Sequence, residues 1–434
     1  MTDWPNLFSA HVSEWSARFC DALDAACFDA VVVRSGTEKQ IFRDDRAYPF
    51  SAEPYFKVWA PLARHPGSAI VFAPGRRPRL VYFEDTSFWH EAPSEPEGYW
   101  LEHFDLVVAK TPAEAARRLE GFGGWVANIG EPSDGVDTET WNPKALLAHL
   151  DYFRAVKTPY ERACMARANV IAASGHSAAE REYRRNASEF RLNQAYLEAT
   201  EQRETELPYL NIVALNDHAA VLHYQNLTHV VPEGPSSFLL DAGASYNGYA
   251  ADVTRTHCRG ADQMLALIES MHELQQTLCS KAVVGVDFVE LNELAHRDLA
   301  QLLREHELIR CDAEHAYESG ITRTFLPHGL GHLLGLQVHD AGGHLQGPDG
   351  STRHPPAEHP MLRLTRTLED GFVVTIEPGL YFIPSLLEKL RDRVPEQVNW
   401  KRVETLVKFG GVRIEDNVCV TEQGPLNLTR AAMQ

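Results

Sequence analysis

No C-x-x-C pair occurs in this chain, and its seven cysteines (Cys20, Cys27, Cys164, Cys258, Cys279, Cys311 and Cys419) are odd in number and widely scattered. That argues against a disulfide framework and makes a reducing, cytoplasmic setting the expected one. Long apolar runs are missing as well: nothing approaches the roughly 18 consecutive apolar residues that span a bilayer, so no membrane partner is expected. The opening stretch MTDWPNLFSAHVSEW carries acidic residues and lacks the basic and apolar regions of a secretory signal. Positive charge is in short supply, with 41 Lys and Arg against 60 Asp and Glu and a net charge of −19. Such a chain repels a phosphate backbone, which disfavours nucleic acid as a partner and leaves an enzyme of peptides or small molecules as the better fit. Neither an internal repeat nor a low-complexity segment is present.

With 434 residues, the chain exceeds what one hydrophobic core usually serves, and two domains are expected. In the first third, short β-rich runs at 30–33, 69–72, 80–83 and 106–109 alternate with helical patterns such as 113–119, which reads as a small α/β domain. Lys157-Thr158-Pro159-Tyr160-Glu161 then offers a Thr N-cap, a Pro at the first helical position and a Glu three residues after the cap. A long helix is predicted to start there, with the domain boundary just before it, giving domains 1–157 and 158–434. Helical patterns at 159–185, 190–202, 261–280 and 287–305, with β-patterned segments between and after them, make the second domain α+β. The Pro- and His-rich stretch 347–360 reads as a surface loop.

The chemistry concentrates in four segments. Between Phe238 and Thr256, two apolar-rich runs flank Asn247-Gly248, the strongest short hairpin signal. A two-residue loop there pairs 246 with 249 and 243 with 252, so Asp241 and Asp252 lie diagonally on one face, where a cation would relieve their repulsion. Between Phe325 and Asp340, three histidines (His328, His332, His339) and several glycines share a stretch too glycine-rich for a stable helix. Phe372 to Ile376 is an apolar strand ending on Glu377, just before a Pro378-Gly379 turn. In Gly411 to Asp416, Arg413 and Glu415 share one strand face by the two-residue period. Any one of these residues is more often structural than a ligand. Jointly, two Asp, one His and two Glu suit a pair of divalent ions, with Mn²⁺ favoured by the mostly oxygen donors.

These motifs resemble the metallopeptidase family with the pita-bread (creatinase/aminopeptidase-like) fold, shared by methionine aminopeptidase, aminopeptidase P and prolidase. The likeness covers nearly the whole chain and is greatest to bacterial prolidases, including those known as organophosphorus acid anhydrolases. The segments from Asp44 to Phe50 and from Asn211 to Tyr224 share in it. The resemblance implies that Asp252 and Glu415 bridge two metal ions, that Asp241 completes one, and that His332 and Glu377 complete the other. It implies further that a metal-bridging hydroxide attacks the scissile carbonyl of an Xaa-Pro dipeptide while Glu377 relays its proton to the leaving nitrogen. His223 and His339 match histidines that stabilise the oxyanion and position the substrate, and His328 is assigned to structure. Arg363 matches the arginine that grips the substrate carboxylate, with Arg366 as a competitor. Arg413, with Thr254, is expected to orient the ligand carboxylates. Relatives are often homodimers in which the partner's small domain lids the active site, and hydrolysis of organophosphates is an implied side activity. The alternatives are aminopeptidase P, which takes longer Xaa-Pro peptides, and a non-catalytic binding protein, which would have lost ligands that this chain retains.

Overall fold

The computed structural model describes residues 2–85, 93–132, 139–234 and 236–434. The chain divides into two compact units, Met1–Cys164 with Leu345–Thr352, and Met165–His344 with Arg353–Gln434.

The first unit is α/β. Strands β1 (Ala30–Arg34), β2 (Ala69–Phe72), β3 (Arg79–Phe83), β4 (Asp105–Ala109) and β5 (Val126–Ile129) form one mixed sheet in the order β4-β3-β2-β1-β5. Strand β2 is buried at every position and β1 at all but its last, as near-continuous apolar runs require of central strands covered on both faces. The helix Trp4–Ala25 starts on Asp3, whose carboxylate accepts the Asn6 N–H at 3.4 Å. Its buried face carries Phe8, Trp15 and Phe19, and Phe19 lies 5.1 Å from Trp59 and 5.8 Å from Phe72, ring centre to ring centre. Residues 345–352 contribute no helix or strand, only the bridge Leu345↔Thr352.

The capping box at Thr158 is present: its N–H donates to Glu161 Oε2 at 2.8 Å, and its Oγ1 accepts the Glu161 N–H at 3.4 Å. It heads the helix Pro159–Arg184. In the second unit, which is α+β, Tyr183, Leu192 and Tyr196 from that helix and from Glu189–Thr200 pack on Val213, Leu215, Phe238 and Leu240. The latter four belong to β6 (Ile212–Leu215) and β7 (Ser236–Asp241). A short hairpin, β8 (Ser245–Tyr246) and β9 (Tyr249–Ala250), leads to β10 (Thr254–Arg259), and β10-β7-β6 form one sheet. Helices Asp262–Lys281 and Phe288–Glu305 follow.

Two expectations need correcting. Pro378-Gly379 is not a turn: β11 (Val373–Ile376) passes through an extended break into β12 (Gly379–Tyr381). The region after it is not all β, since helices Pro384–Arg393 and Trp400–Leu406 precede β13 (Gly411–Arg413) and β14 (Asp416–Cys419). Only Leu387 and Leu390 of the first of these helices are buried, too few to give a periodic signal.

Candidate metal centre

Backbone register assembles the site. The Asn247-Gly248 turn, with both residues in the left-handed region at φ 51° and 85°, pairs Tyr246 with Tyr249, and the same register reaches Asp241↔Thr254. Asp252 is thereby placed one pleat from Asp241 on the same face. Gly243, opposite Asp252, is needed there because a Cβ would lie 2.1 Å from the Ala251 carbonyl oxygen. On the other side, β11 pairs with β14 and β12 with β13 in one common register, so the two breaks put Glu377 across from Glu415. Two further bridges complete the frame: Thr254↔Glu415 joins the two halves, and Leu333↔Val374 aligns the histidine segment with β11. Gly331 permits that approach, since a Cβ would sit 2.0 Å from the Thr375 carbonyl.

The side chains converge accordingly. Ligand-type atoms of Asp252, His332 and Glu415 lie within 4.8 Å of one another. His332 Nε2 is 3.5 Å from Asp252 and 3.4 Å from Glu377. His332 Nδ1 lies 3.0 Å from the Leu333 carbonyl, which commits the Nδ1–H to the backbone and turns Nε2, a ligand atom once its proton is lost, toward the carboxylates. Asp241 accepts from Arg413 at 2.6 Å and from Tyr209 at 2.7 Å. Glu415 accepts from the Thr254 hydroxyl at 2.6 Å, and that hydroxyl accepts from Arg413 Nε at 3.1 Å.

Three of the four carboxylates are pushed in one direction. Burial, reinforced by the neighbouring carboxylates, pushes Glu415 well above the usual range and Glu377 up to about 7. Burial also raises Asp241 against the pull of Arg413, whereas hydrogen bonding and charge from His332 outweigh it at Asp252 and hold that group low. Four carboxylates with one imidazole lone pair match the donor chemistry of divalent cations, and the buried negative charge is the kind that such ions compensate.

Around this group, burial and then the charge of Arg413 push His328 down to about 4, and burial followed by the charges of His332 and Arg363 pushes His339 down to about 4. The rings of His332 and His339 meet edge-on at 4.5 Å. His328 lies 3.7 Å from Glu377, its Nδ1–H given to the Gly329 carbonyl and its Nε2 accepting from Tyr381 at 2.8 Å. Arg363 is exposed and has no hydrogen-bond or ion-pair partner among the described residues. Its competitor Arg366 is buried, paired with Glu369 at 2.7 Å and stacked on Phe372.

Sequence reasoning missed three participants. The Tyr209 hydroxyl bridges Asp241 and Asp252 at 2.7 and 2.5 Å, and no pattern around Pro208-Tyr209 announces it. Tyr381 accepts from Arg413 at 2.9 Å and was legible in principle, being two strand periods beyond Glu377. The Asn417 side chain clasps the Asp252 backbone, accepting its N–H at 3.0 Å and donating to its carbonyl.

Residues 6–152 match the family description "Xaa-Pro dipeptidase, N-terminal domain", and residues 163–422 match "Metallopeptidase family M24". The chain belongs to metallopeptidase family M24. It is 45% identical over 428 residues to a Xaa-Pro dipeptidase of Stenotrophomonas maltophilia, covering 98% of this chain and 96% of that one. A Xaa-Pro dipeptidase of Escherichia coli is 41% identical over 438 residues, covering 99% of both chains. Solved structures of aminopeptidase P from E. coli and of an aminopeptidase from Pseudomonas aeruginosa superpose with TM-scores of 0.70 and 0.71 at 22% and 21% identity. They cover 96% and 97% of this chain and 95% and 97% of their own. The fold is thus an α/β N-terminal domain followed by an α+β pita-bread catalytic domain, and this family member groups with the metal-dependent dipeptidases.

Proposed function

We propose that this enzyme hydrolyses Xaa-Pro dipeptides with two divalent ions, Mn²⁺ by preference, held by Asp241, Asp252, His332, Glu377 and Glu415. The ions, when bound, supply Lewis acidity and acidify water. The chain's own groups do the rest. Arg413, Thr254 and Tyr209 hold the ligand carboxylates in place through the hydrogen bonds described above. Glu377 relays a proton to the departing proline nitrogen. His223 and His339 donate to the developing oxyanion and seat the substrate. Arg363 takes the terminal carboxylate in its guanidinium fork.

The observation that carries the dipeptide reading is Arg363, an arginine without a partner among the described residues whose charge reaches His339. A carboxylate one residue beyond the scissile bond suits it, whereas a longer peptide has none there. We further propose a cytoplasmic homodimer with the partner's small domain over the site, a domain boundary at 157/158 supported by the Thr158 capping box, and slow hydrolysis of organophosphates. The test compares a panel of Xaa-Pro dipeptides and Xaa-Pro-Xaa tripeptides with metal content measured on the same samples. Dipeptide cleavage that tracks two ions per chain and is lost in Asp252→Asn is expected. Equal cleavage of tripeptides, or full activity without divalent metal, overturns the reading.

A further inference from the structure

Glu189 opens the helix Glu189–Thr200, and its side chain is fully buried although none of its hydrogen bonds among the described residues goes to a proposed ligand residue. Four donors converge on it. Oε1 accepts the Leu215 N–H at 2.8 Å and His218 Nδ1–H at 2.7 Å, and Oε2 accepts the Tyr224 hydroxyl and the Thr228 N–H, both at 2.8 Å. All four lie within residues 215–228. Beyond the end of β6 and the short 3-10 helix Asn216–Ala220, that segment has no helix or strand. His218 and Tyr224 also stack, 4.4 Å apart and 21° from parallel. Leu227 sits in the left-handed region at φ 48°, next to the Thr228 bond. A non-glycine residue keeps that conformation only where its surroundings over-determine it.

The chemistry explains why the residue is a carboxylate. Every group that faces it is a donor, so a glutamine would present its own N–H₂ to two of them. Four bonds on one buried anion make a fixed post around which an otherwise irregular segment is wrapped. The residue that this segment presents is His223, exposed beside the buried Tyr224 that bonds to Glu189.

We propose that Glu189 is a positioning residue of this enzyme, fixing His223 at the metal centre through Tyr224 and the two ends of the 215–228 segment. The proposal rests on the reading of His223 as an oxyanion-stabilising and substrate-seating group. It is tested by measuring kcat and KM for Ala-Pro, with bound metal, in wild type, His223→Ala, Glu189→Gln and the double variant. Both single variants should lose about 100-fold in kcat, the size of loss that a misplaced catalytic group produces, while retaining their metal. The double variant should be no worse than His223→Ala alone, because the carboxylate acts through the imidazole. Tyr224→Phe, which removes one bond of the four, should show a smaller loss that likewise vanishes in the His223→Ala background, and it stands in if Glu189→Gln does not fold. Losses that multiply in the double variants, or wild-type kcat in a folded Glu189→Gln enzyme, overturn the positioning role alone. An unchanged His223→Ala enzyme overturns the reading of His223 and the positioning role with it.

Discussion

Glu377 and Glu415 stand opposite each other in one antiparallel register that runs from Val373↔Cys419 to Tyr381↔Gly411. Like charges directly across a strand pair are destabilising, and here both groups are also desolvated. The ladder loosens at this point: the Glu377 N–H turns to the Leu330 carbonyl and the Glu415 N–H to that of Thr254. The fold therefore gives up stability to bring these carboxylates together.

Metal should return that stability, by about 2.7 kcal/mol when free metal is a hundredfold above Kd. Glu415→Gln makes the relation testable, because it removes one of the opposed charges and keeps an oxygen for the Thr254 hydroxyl. In chelator the variant should unfold at a higher temperature than wild type, and in excess Mn²⁺ at a lower one. Equal destabilisation under both conditions would show that the opposition of charges is not what the metal relieves.

Acid should weaken the fold through a buried histidine outside the ligand set. His296, buried on the helix Phe288–Glu305, is pushed down to about 3 by burial and by the charges of His359, Arg323 and His328. A histidine whose folded pKa lies below its unfolded value near 6.5 contributes stability that is present above that value and lost as pH falls toward the folded one. Its loss by pH 5 is about 2 kcal/mol. Urea unfolding between pH 7 and 5 should show this decline, and His296→Asn, with nothing to protonate, should show correspondingly less. Identical slopes for the two proteins would remove His296 as the cause.

Much of the site was legible because one turn fixes a register. Asn247-Gly248 admits the left-handed conformation at both positions, and once the turn is set every pairing back to Asp241 follows. The Thr158 box and the long helices were legible for a similar reason, since local side-chain chemistry marks their ends. What stayed hidden depends on distant chain. Leu345–Thr352 groups with the first unit although some 180 residues separate it from Cys164, and a loop without periodicity carries no sign of where it docks. Tyr209 reaches Asp241 and Asp252 from an irregular stretch, so no two-residue pattern ties it to them. The apolar strand leading to Glu377 is present, but the Pro-Gly after it was misread because an extended break and a turn share the same composition.

The proposed dimer yields a concentration-dependent prediction. Phe42 and Tyr48 are among the most exposed large apolar side chains of the described residues, at 87% and 56%, and they lie in or beside the segment from Asp44 to Phe50. Exposed rings of this kind are common at contact surfaces. Phe42→Ser with Tyr48→Ser should shift sedimentation toward monomer and raise KM for Ala-Pro without altering metal content. An active wild-type monomer whose turnover is unchanged on dilution would remove the idea.

The clearest separation between dipeptidase and aminopeptidase rests on Arg363. Its neighbour Arg366 is committed to Glu369 and to the face of Phe372, so Arg366→Ala should cost stability and leave substrate recognition alone. Arg363 has no such commitment among the described residues, and its charge reaches His339 at the metal centre. A hydrogen bond to a charged group is worth about 1.5 to 3 kcal/mol, which for Arg363→Ala corresponds to a loss of roughly one to two orders of magnitude in kcat/KM for Ala-Pro. Lysine supplies the charge without the bidentate fork, so Arg363→Lys should recover only part of that loss. An amidated dipeptide, having no carboxylate to grip, should be a poor substrate for wild type and nearly indifferent to the substitution. If Arg363→Ala lowers turnover of the amide as much as that of the free dipeptide, the guanidinium is supporting the fold, and the carboxylate must be held elsewhere.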